Sequence, residues 1–375
     1  MLFNVCALYI KIMNNENQTI HKSDDNLTIY GWNEKLNQLK QESIYSALAH
    51  GRVSIVHRTC YEVISGNGLF QCELTGNMMY GKSDDELPCT GDWVIFQPFD
   101  EHKGIIVDSL PRERTLYRKK SGTVADKQVI ASYVDKAFIV QSLDDNFNVR
   151  RVERFMVQIM EENISSVLVL NKADLDFDRQ SVEEQIKHIS SQIPVFFTSI
   201  HQLETIVRLR KSISEGETVV FVGSSGVGKS SLVNALCEKP VLLTSDISLS
   251  TGKGRHTSTR REMVLMDSSG VLIDTPGVRE FGLAIDNPDS LAEVLEISDY
   301  AESCRFKDCK HINEPGCAVI EAVNSGALDS KVYESYLKLR REAWHFSASE
   351  HEKRKKEKSF TKLVEEVKNR KDANR

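Results

Sequence analysis

The sequence predicts three folded units in a row: an all-β barrel, an α/β unit built on parallel strands, and a small α-helical unit. Three observations predict this. Between about 50 and 110, short β-branched runs are separated by glycines; between about 165 and 275, apolar runs end in a glycine loop or a polar turn; and three cysteines and a histidine crowd into residues 304–317. A chain of 375 residues with 40% hydrophobic content can bury the cores of two or three domains. No stretch approaches twenty apolar residues, so no membrane span is expected.

The barrel is read from residues 51–56, 61–64, 69–74 and 92–96. Their spacing suits about five antiparallel strands closed into an OB-fold over residues 46–112. Such barrels bind nucleic acid or protein, and the basic run Arg112, Arg114, Arg118, Lys119 and Lys120 directly after it tilts the reading towards RNA. Residues 1–45 read as an N-terminal extension. Met1 to Ile10 is apolar but lacks a basic n-region and a small-residue cleavage site, so an unstructured lead is expected rather than a signal peptide.

The α/β unit, residues 113–285, carries three motifs. Gly223, Ser224, Ser225, Gly226, Val227, Gly228, Lys229 and Ser230 spell G-x-x-x-x-G-K-S, and Ser231 continues into a helix; a buried strand at 218–222 leads in. The glycines let successive N–H groups face phosphate oxygens, Lys229 reaches the β- and γ-phosphates, and the Ser230 hydroxyl ligates Mg²⁺. Asn171, Lys172, Ala173 and Asp174 spell N-K-x-D at the end of a strand at 166–170, on the edge where open α/β sheets bind ligands. The Asp174 carboxylate can accept both N1–H and N2–H₂ of guanine, a donor pair that adenine lacks, which argues against an ATPase. Asp274, Thr275, Pro276 and Gly277 spell D-x-x-G, with Asp274 holding magnesium through water and the Gly277 amide sensing the γ-phosphate. In GTPases N-K-x-D ordinarily follows the phosphate loop, whereas here it precedes it. The unit therefore reads as a circularly permuted GTPase that takes GTP and GDP.

Candidate catalytic residues are Lys229, Asp274 and His256. Residues 250–260 are polar, glycine-bearing and basic, as a switch segment should be, and Thr257 or Thr259 is the candidate to ligate magnesium while the γ-phosphate is present. Val278 stands where a glutamine often orients the attacking water. His256 is the nearest replacement; a solvated or RNA-facing loop histidine is the competing reading. The segment Phe197, Thr198, Ser199 after a strand at 193–196 offers a backbone amide to the guanine carbonyl.

Cys304, Cys309, His311 and Cys317 match a closed Cys₃His site for one structural zinc, in a unit spanning residues 286–345. The other five cysteines, Cys6, Cys60, Cys72, Cys89 and Cys237, have no paired spacing and read as plain thiols in a reducing cytosol. Beyond about 330 the pattern is helical and runs into a basic tail, residues 346–375. Residues 331–375 carry 14 Lys or Arg against 8 Asp or Glu, a net of +6, on a chain of net charge −6. Either a solvated helix face or a phosphate-backbone contact accounts for that block.

These residues resemble the bacterial ribosome small subunit-dependent GTPase A family. The resemblance covers roughly residues 30–345 and rests on Asn171 to Asp174, Gly223 to Ser231, Gly252 to Thr257, Asp274 to Gly277, and the four zinc ligands. It implies an N-terminal OB-fold, a central permuted GTPase and a C-terminal zinc domain. It also implies a protein that binds the small (30S) ribosomal subunit and its rRNA and acts in late subunit maturation; a cytoplasmic monomer without a membrane partner is expected. The implied chemistry is hydrolysis of GTP to GDP and phosphate, stimulated by the subunit. The competing expectation is an RNA-binding assembly factor that uses nucleotide as a structural ligand; Val278 favours it, and Lys229, Ser230 and Asp274 disfavour it.

Overall fold

The computed structural model describes residues 25–119, 127–242, 261–267, 270–275, 291–292, 295 and 297–347. Burial alternates along strands β2 (Tyr61–Ser65) and β3 (Gly68–Leu74) and is continuous through the middle of β1 (Ala49–Val56), and Val53, Val63, Phe70 and Cys72 meet in one core. Strands β4 (Trp93–Asp100) and β5 (Lys103–Ser109) add Val94, Phe96 and Ile106 to it. The strand order is β1-β2-β3-β5-β4, and a β1–β4 pairing closes the barrel, with β3 and β5 parallel. This is the expected OB-type barrel, except that the β3–β5 pairing is parallel where the sequence predicts antiparallel strands throughout. The short helix α3 (Gly76–Gly81), capped by the Thr75 hydroxyl, buries Met78 in the same core.

Two helices precede the barrel, where the sequence reading assigns no element. They are α1 (Asp25–Thr28) and α2 (Glu34–Glu42), the second capped by the Asn33 side chain on the Leu36 amide at 3.1 Å. Leu27, Trp32 and Leu36 pack on Trp93, Ile95, Leu110 and Tyr133, with the two tryptophan rings edge-on at 4.8 Å. A two-stranded ribbon, β6 (Leu116–Lys119) and β7 (Lys127–Ala131), follows the barrel.

The second sheet holds β8 (Lys136–Ser142), β9 (Ser165–Asn171), β10 (Val195–Thr198), β11 (Thr218–Val222), β12 (Glu262–Leu265) and β13 (Val271–Asp274). Its order is β10-β9-β8-β11-β13-β12, with five parallel strands and β12 antiparallel at the end. The four inner strands are almost wholly buried, as a parallel sheet requires. Because β8, β9, β11 and β13 are parallel, the segments that follow them share one edge. The two sheets meet where Ile55 of β1 pairs with Glu262 of β12, so neither of these strands is left as an open edge at that point.

The C-terminal unit comprises α9 (Ser298–Ala301), α10 (Ala318–Ser325) and α11 (Ser330–Ser347). Val332, Tyr336, Leu339 and Ala343 of α11 share a core with Val152, Phe155, Met156 and Ile159 of α4 (Val149–Glu161). Ion pairs Arg150–Glu334 at 3.4 Å and Arg154–Glu342 at 2.8 Å flank that contact. The helical pattern expected beyond 330 is present up to Ser347; the basic run at 353–358 lies outside the described residues. No helix among the described residues is long and apolar enough to cross a membrane.

Arg52 joins three parts of the chain. Only 1% exposed, its guanidinium donates to the carbonyls of Gly91, Tyr30 and Tyr133 and to the Thr218 hydroxyl at 2.9 Å, and it lies 5.5 Å from the Trp93 ring. Burial pulls its pKa down to about 10, with Asp135 and Asp92 pulling the other way. Thr218 opens β11, so the barrel is tied to the strand that leads into the phosphate loop. Arg52→Met should leave three carbonyls and a hydroxyl unsatisfied and destabilise the protein by about 2–4 kcal/mol, measured by chemical denaturation. Wild-type stability in that variant would show that the network contributes nothing net.

Candidate functional site

Strand β11 ends at Val222 and the chain turns through Gly223, Gly226 and Gly228 at φ of 153°, 85° and 95° before α8 (Lys229–Leu236) begins. At Gly228 glycine is required twice over: the backbone is left-handed, and a Cβ there would stand 2.3 Å from Asn171 Nδ2. Lys229 is 6% exposed and donates to the Gly223 and Ser224 carbonyls at 3.0 and 2.9 Å. Burial lowers its pKa to about 8, opposed by Asp274. The Ser230 hydroxyl donates to Asp274 Oδ2 at 2.8 Å. Asp274 is 1% exposed and its Oδ1 has no hydrogen-bond partner among the described residues; burial raises its pKa against the Ser230 bond and Lys229. The Thr275 hydroxyl fixes the turn by donating to Phe221 O at 2.6 Å.

The N-K-x-D segment sits on the same edge. Asn171 Nδ2 donates to Val227 O at 2.8 Å, inside the phosphate loop, and Asn171 Oδ1 accepts from the Thr198 hydroxyl at 3.3 Å. Lys172 has a left-handed backbone, φ 62°, and its ammonium lies 2.9 Å from Asp144 Oδ2. Asp174 accepts from the Ser199 hydroxyl at 2.5 Å, which holds its carboxyl below the usual range. The Ser199 amide is taken by Thr205 Oγ1 at 3.0 Å, so within the segment 197–199 this amide is not available to a base. The next amide, Ile200 N–H, has no partner among the described residues. Asp144 and Ile200 belong to no motif, so nothing in the sequence spacing points to them.

His256, Thr257, Thr259, Gly277 and Val278 lie outside the described residues.

The cysteine cluster is compact. Cys304, Cys309, His311 and Cys317 bring four ligand atoms within 4.8 Å of one another. Cys304 Sγ and Cys317 Sγ are 3.9 Å apart and each is 3.5 Å from His311 Nδ1. A tetrahedron with ligands about 2.0–2.3 Å from zinc has edges of roughly 3.3–3.8 Å, so the donor set fits that ion. The loop is braced by Glu314, whose carboxylate accepts from the amides of Lys310, Ile312 and Asn313, and by Tyr333, which donates to His311 O at 2.6 Å.

A family model described as RsgA GTPase matches residues 109–284. A small ribosomal subunit biogenesis GTPase RsgA 1 from Bacteroides thetaiotaomicron is 76% identical over 359 residues, covering 96% of this chain and 99% of that protein. The chain belongs to the RsgA GTPase family. An RsgA from Methanosarcina acetivorans is 38% identical and covers 87% of the chain and 89% of its own length. RsgA proteins are GTP hydrolases, in agreement with the three motifs. The crystal structure of YjeQ from Thermotoga maritima shares the fold with a TM-score of 0.59 and 26% identity, covering 79% of this chain and 98% of that one. YloQ, described as a circularly permuted GTPase, has a TM-score of 0.57 at 22% identity over 80% of this chain and 97% of its own, and supports the permuted fold. An ABC transporter model also matches, over residues 206–371, a range that contains the same phosphate loop.

Gly228→Ala should displace Asn171 and add about 1–2 kcal/mol of backbone strain. Titration with fluorescent GDP should show a large loss of affinity while far-ultraviolet circular dichroism stays unchanged. Retained affinity would mean that Asn171 can move without harm.

Proposed function

We propose that this chain hydrolyses GTP while bound to the small (30S) ribosomal subunit and its rRNA, and acts in late maturation of that subunit. The named relatives support the ribosomal role, and one observation carries the chemical reading: the Asn171 side chain bonds the phosphate loop at Val227, so that base and phosphate motifs form one site despite their inverted order. Asp174 accepts the guanine donors, with Ser199 holding the carboxylate in place and the Ile200 amide left for the guanine carbonyl. Amides from Gly223 to Ser231 face the phosphates, and Lys229 turns from its carbonyl partners to the β- and γ-oxygens. Ser230 and Asp274 are the residues that would hold magnesium, and Asp274 Oδ1, without a side-chain partner among the described residues, is an acceptor such an ion's water could use. Magnesium supplies neutralisation of the charge on the β- and γ-phosphates. Thr257, or Thr259, remains the candidate switch ligand, and His256 the residue that orients water.

The same reading divides the chain into a barrel at 46–112, a GTPase at 113–285 and a zinc unit at 286–345. An extension precedes them at 1–45 and a basic tail follows at 346–375. It takes the protein to be cytoplasmic and monomeric, with GDP released after each turnover. Cys304, Cys309, His311 and Cys317 would hold one structural zinc, and four protein ligands would leave that ion no part in hydrolysis. Cys309→Ala should lower zinc content measured by elemental analysis to well under one per chain and loosen the C-terminal unit to protease, while GDP binding persists. Full occupancy in that variant would remove Cys309 from the ligand set.

The test of function is GTP turnover with and without purified small subunits. Stimulation by the subunit is expected, and His256→Ala should lower the stimulated rate by about 10²- to 10⁴-fold with GTP binding retained. A rate indifferent to small subunits would overturn the ribosomal reading; a wild-type rate in His256→Ala would leave that histidine as a loop residue.

A further inference from the structure

We propose that Asp144 is a positioning residue for the nucleotide base: it pins the Lys172 ammonium so that the lysine's methylene stem forms a fixed wall of the base site. The proposal rests on the guanine-site reading above.

Within N-K-x-D, the Asn171 side chain is turned into the phosphate loop and the Asp174 carboxylate is held by Ser199. Lys172 stands between them with a left-handed backbone, a conformation that long side chains adopt only where the surroundings fix it. The loop that follows β8 bonds to this turn at two points. Leu143 N donates to Asn171 O at 2.9 Å, and one residue on, Asp144 Oδ2 meets Lys172 Nζ at 2.9 Å. The two side chains are 25% and 24% exposed, so the pair is only partly screened by solvent.

Asp144 divides its oxygens between two tasks. Oδ1 accepts from the Ser142 hydroxyl at 2.6 Å and the Asn146 amide at 3.0 Å, and so shapes its own loop. Oδ2 takes the lysine. Burial acts to raise the Asp144 pKa, but the bonds from Ser142 and Lys172 hold it below the ordinary value, so the carboxylate is charged at neutral pH. With the charged head occupied, the part of Lys172 left to meet a ligand is its apolar stem, which can lie against the flat face of a purine. Such a contact does not distinguish one purine from another. Choice of base stays with Asp174, and Asp144 adds affinity by ordering a long side chain in advance.

The division of oxygens gives a clean variant. Asp144→Asn keeps an oxygen for Ser142 and Asn146 and presents an amide donor to the ammonium, so the loop survives and only the anchor is lost. Displacement of fluorescent GDP from the full chain by GTP and ITP should show both nucleotides weakened together, by roughly 3- to 10-fold, the scale of freeing one long side chain. The ratio of GTP to ITP affinity should stay at its wild-type value. Lys172→Ala should cause a similar loss, and the double variant no more than the single one. Wild-type affinity in Asp144→Asn, losses that multiply in the double variant, or a changed GTP to ITP ratio would each overturn the proposal. Displacement by ATP as effective as by GTP in the wild-type chain would instead sink the guanine reading, and the cycle between 144 and 172 would still decide whether the two residues act as one unit.

Discussion

The hydrogen bond from Asn171 Nδ2 to Val227 O is the contact on which the site depends. It crosses 56 residues of sequence and joins the segment after β9 to the loop after β11. The two strands are not neighbours; β8 lies between them and pairs in parallel with both. The ladder therefore brings the two carboxyl ends to one edge, and Asn171 closes the remaining gap. Gly228 lets it do so, since any side chain there would occupy the space of the Asn171 amide.

This explains why permutation leaves the chemistry intact. Parallel pairing is a relation between strands in space and is indifferent to which strand was made first. Moving β8, β9 and β10 ahead of β11 preserves every inter-strand bond of the sheet. What the new order changes is attachment. The barrel now leads through the β6–β7 ribbon into β8, with Arg52 tying it to Thr218 at the start of β11, while the helical unit rests on α4 through Arg150 and Arg154. The barrel is thus joined to the strand that ends in the phosphate loop, and the C-terminal helical unit to the helix after the Asp144 loop.

The residues that spacing singles out are those whose pattern is local: the phosphate-loop glycines, Lys229 and Ser230, the Asn171 to Asp174 run and Asp274, which the fold gathers on one sheet edge, and the Cys₃His set, which it brings into one cluster. Strands β9, β11 and β13 were readable as apolar runs before a turn, and β10 was placed two residues early. Strand β5 has a weak signal, because only Ile105, Ile106 and Val107 are apolar between Lys103-Gly104 and Asp108. Helices α1 and α2 were missed because Leu27, Trp32 and Leu36 are sparse apolar residues among polar ones, and their role depends on Trp93 and Tyr133 far along the chain. Arg52 and Asp144 are of the same kind. Each acts through partners that sequence spacing does not bring together.

The central claim is that the permuted segments compose a single guanine-nucleotide site, and exchange of the base tests it most directly. Asp174→Asn replaces a carboxylate that accepts two guanine donors with an amide that suits the C2 oxygen of xanthine. This variant should lose GTP affinity and gain xanthosine triphosphate affinity relative to wild type, with Lys229 and the phosphate loop still engaged. Unchanged GTP affinity in Asp174→Asn would contradict it.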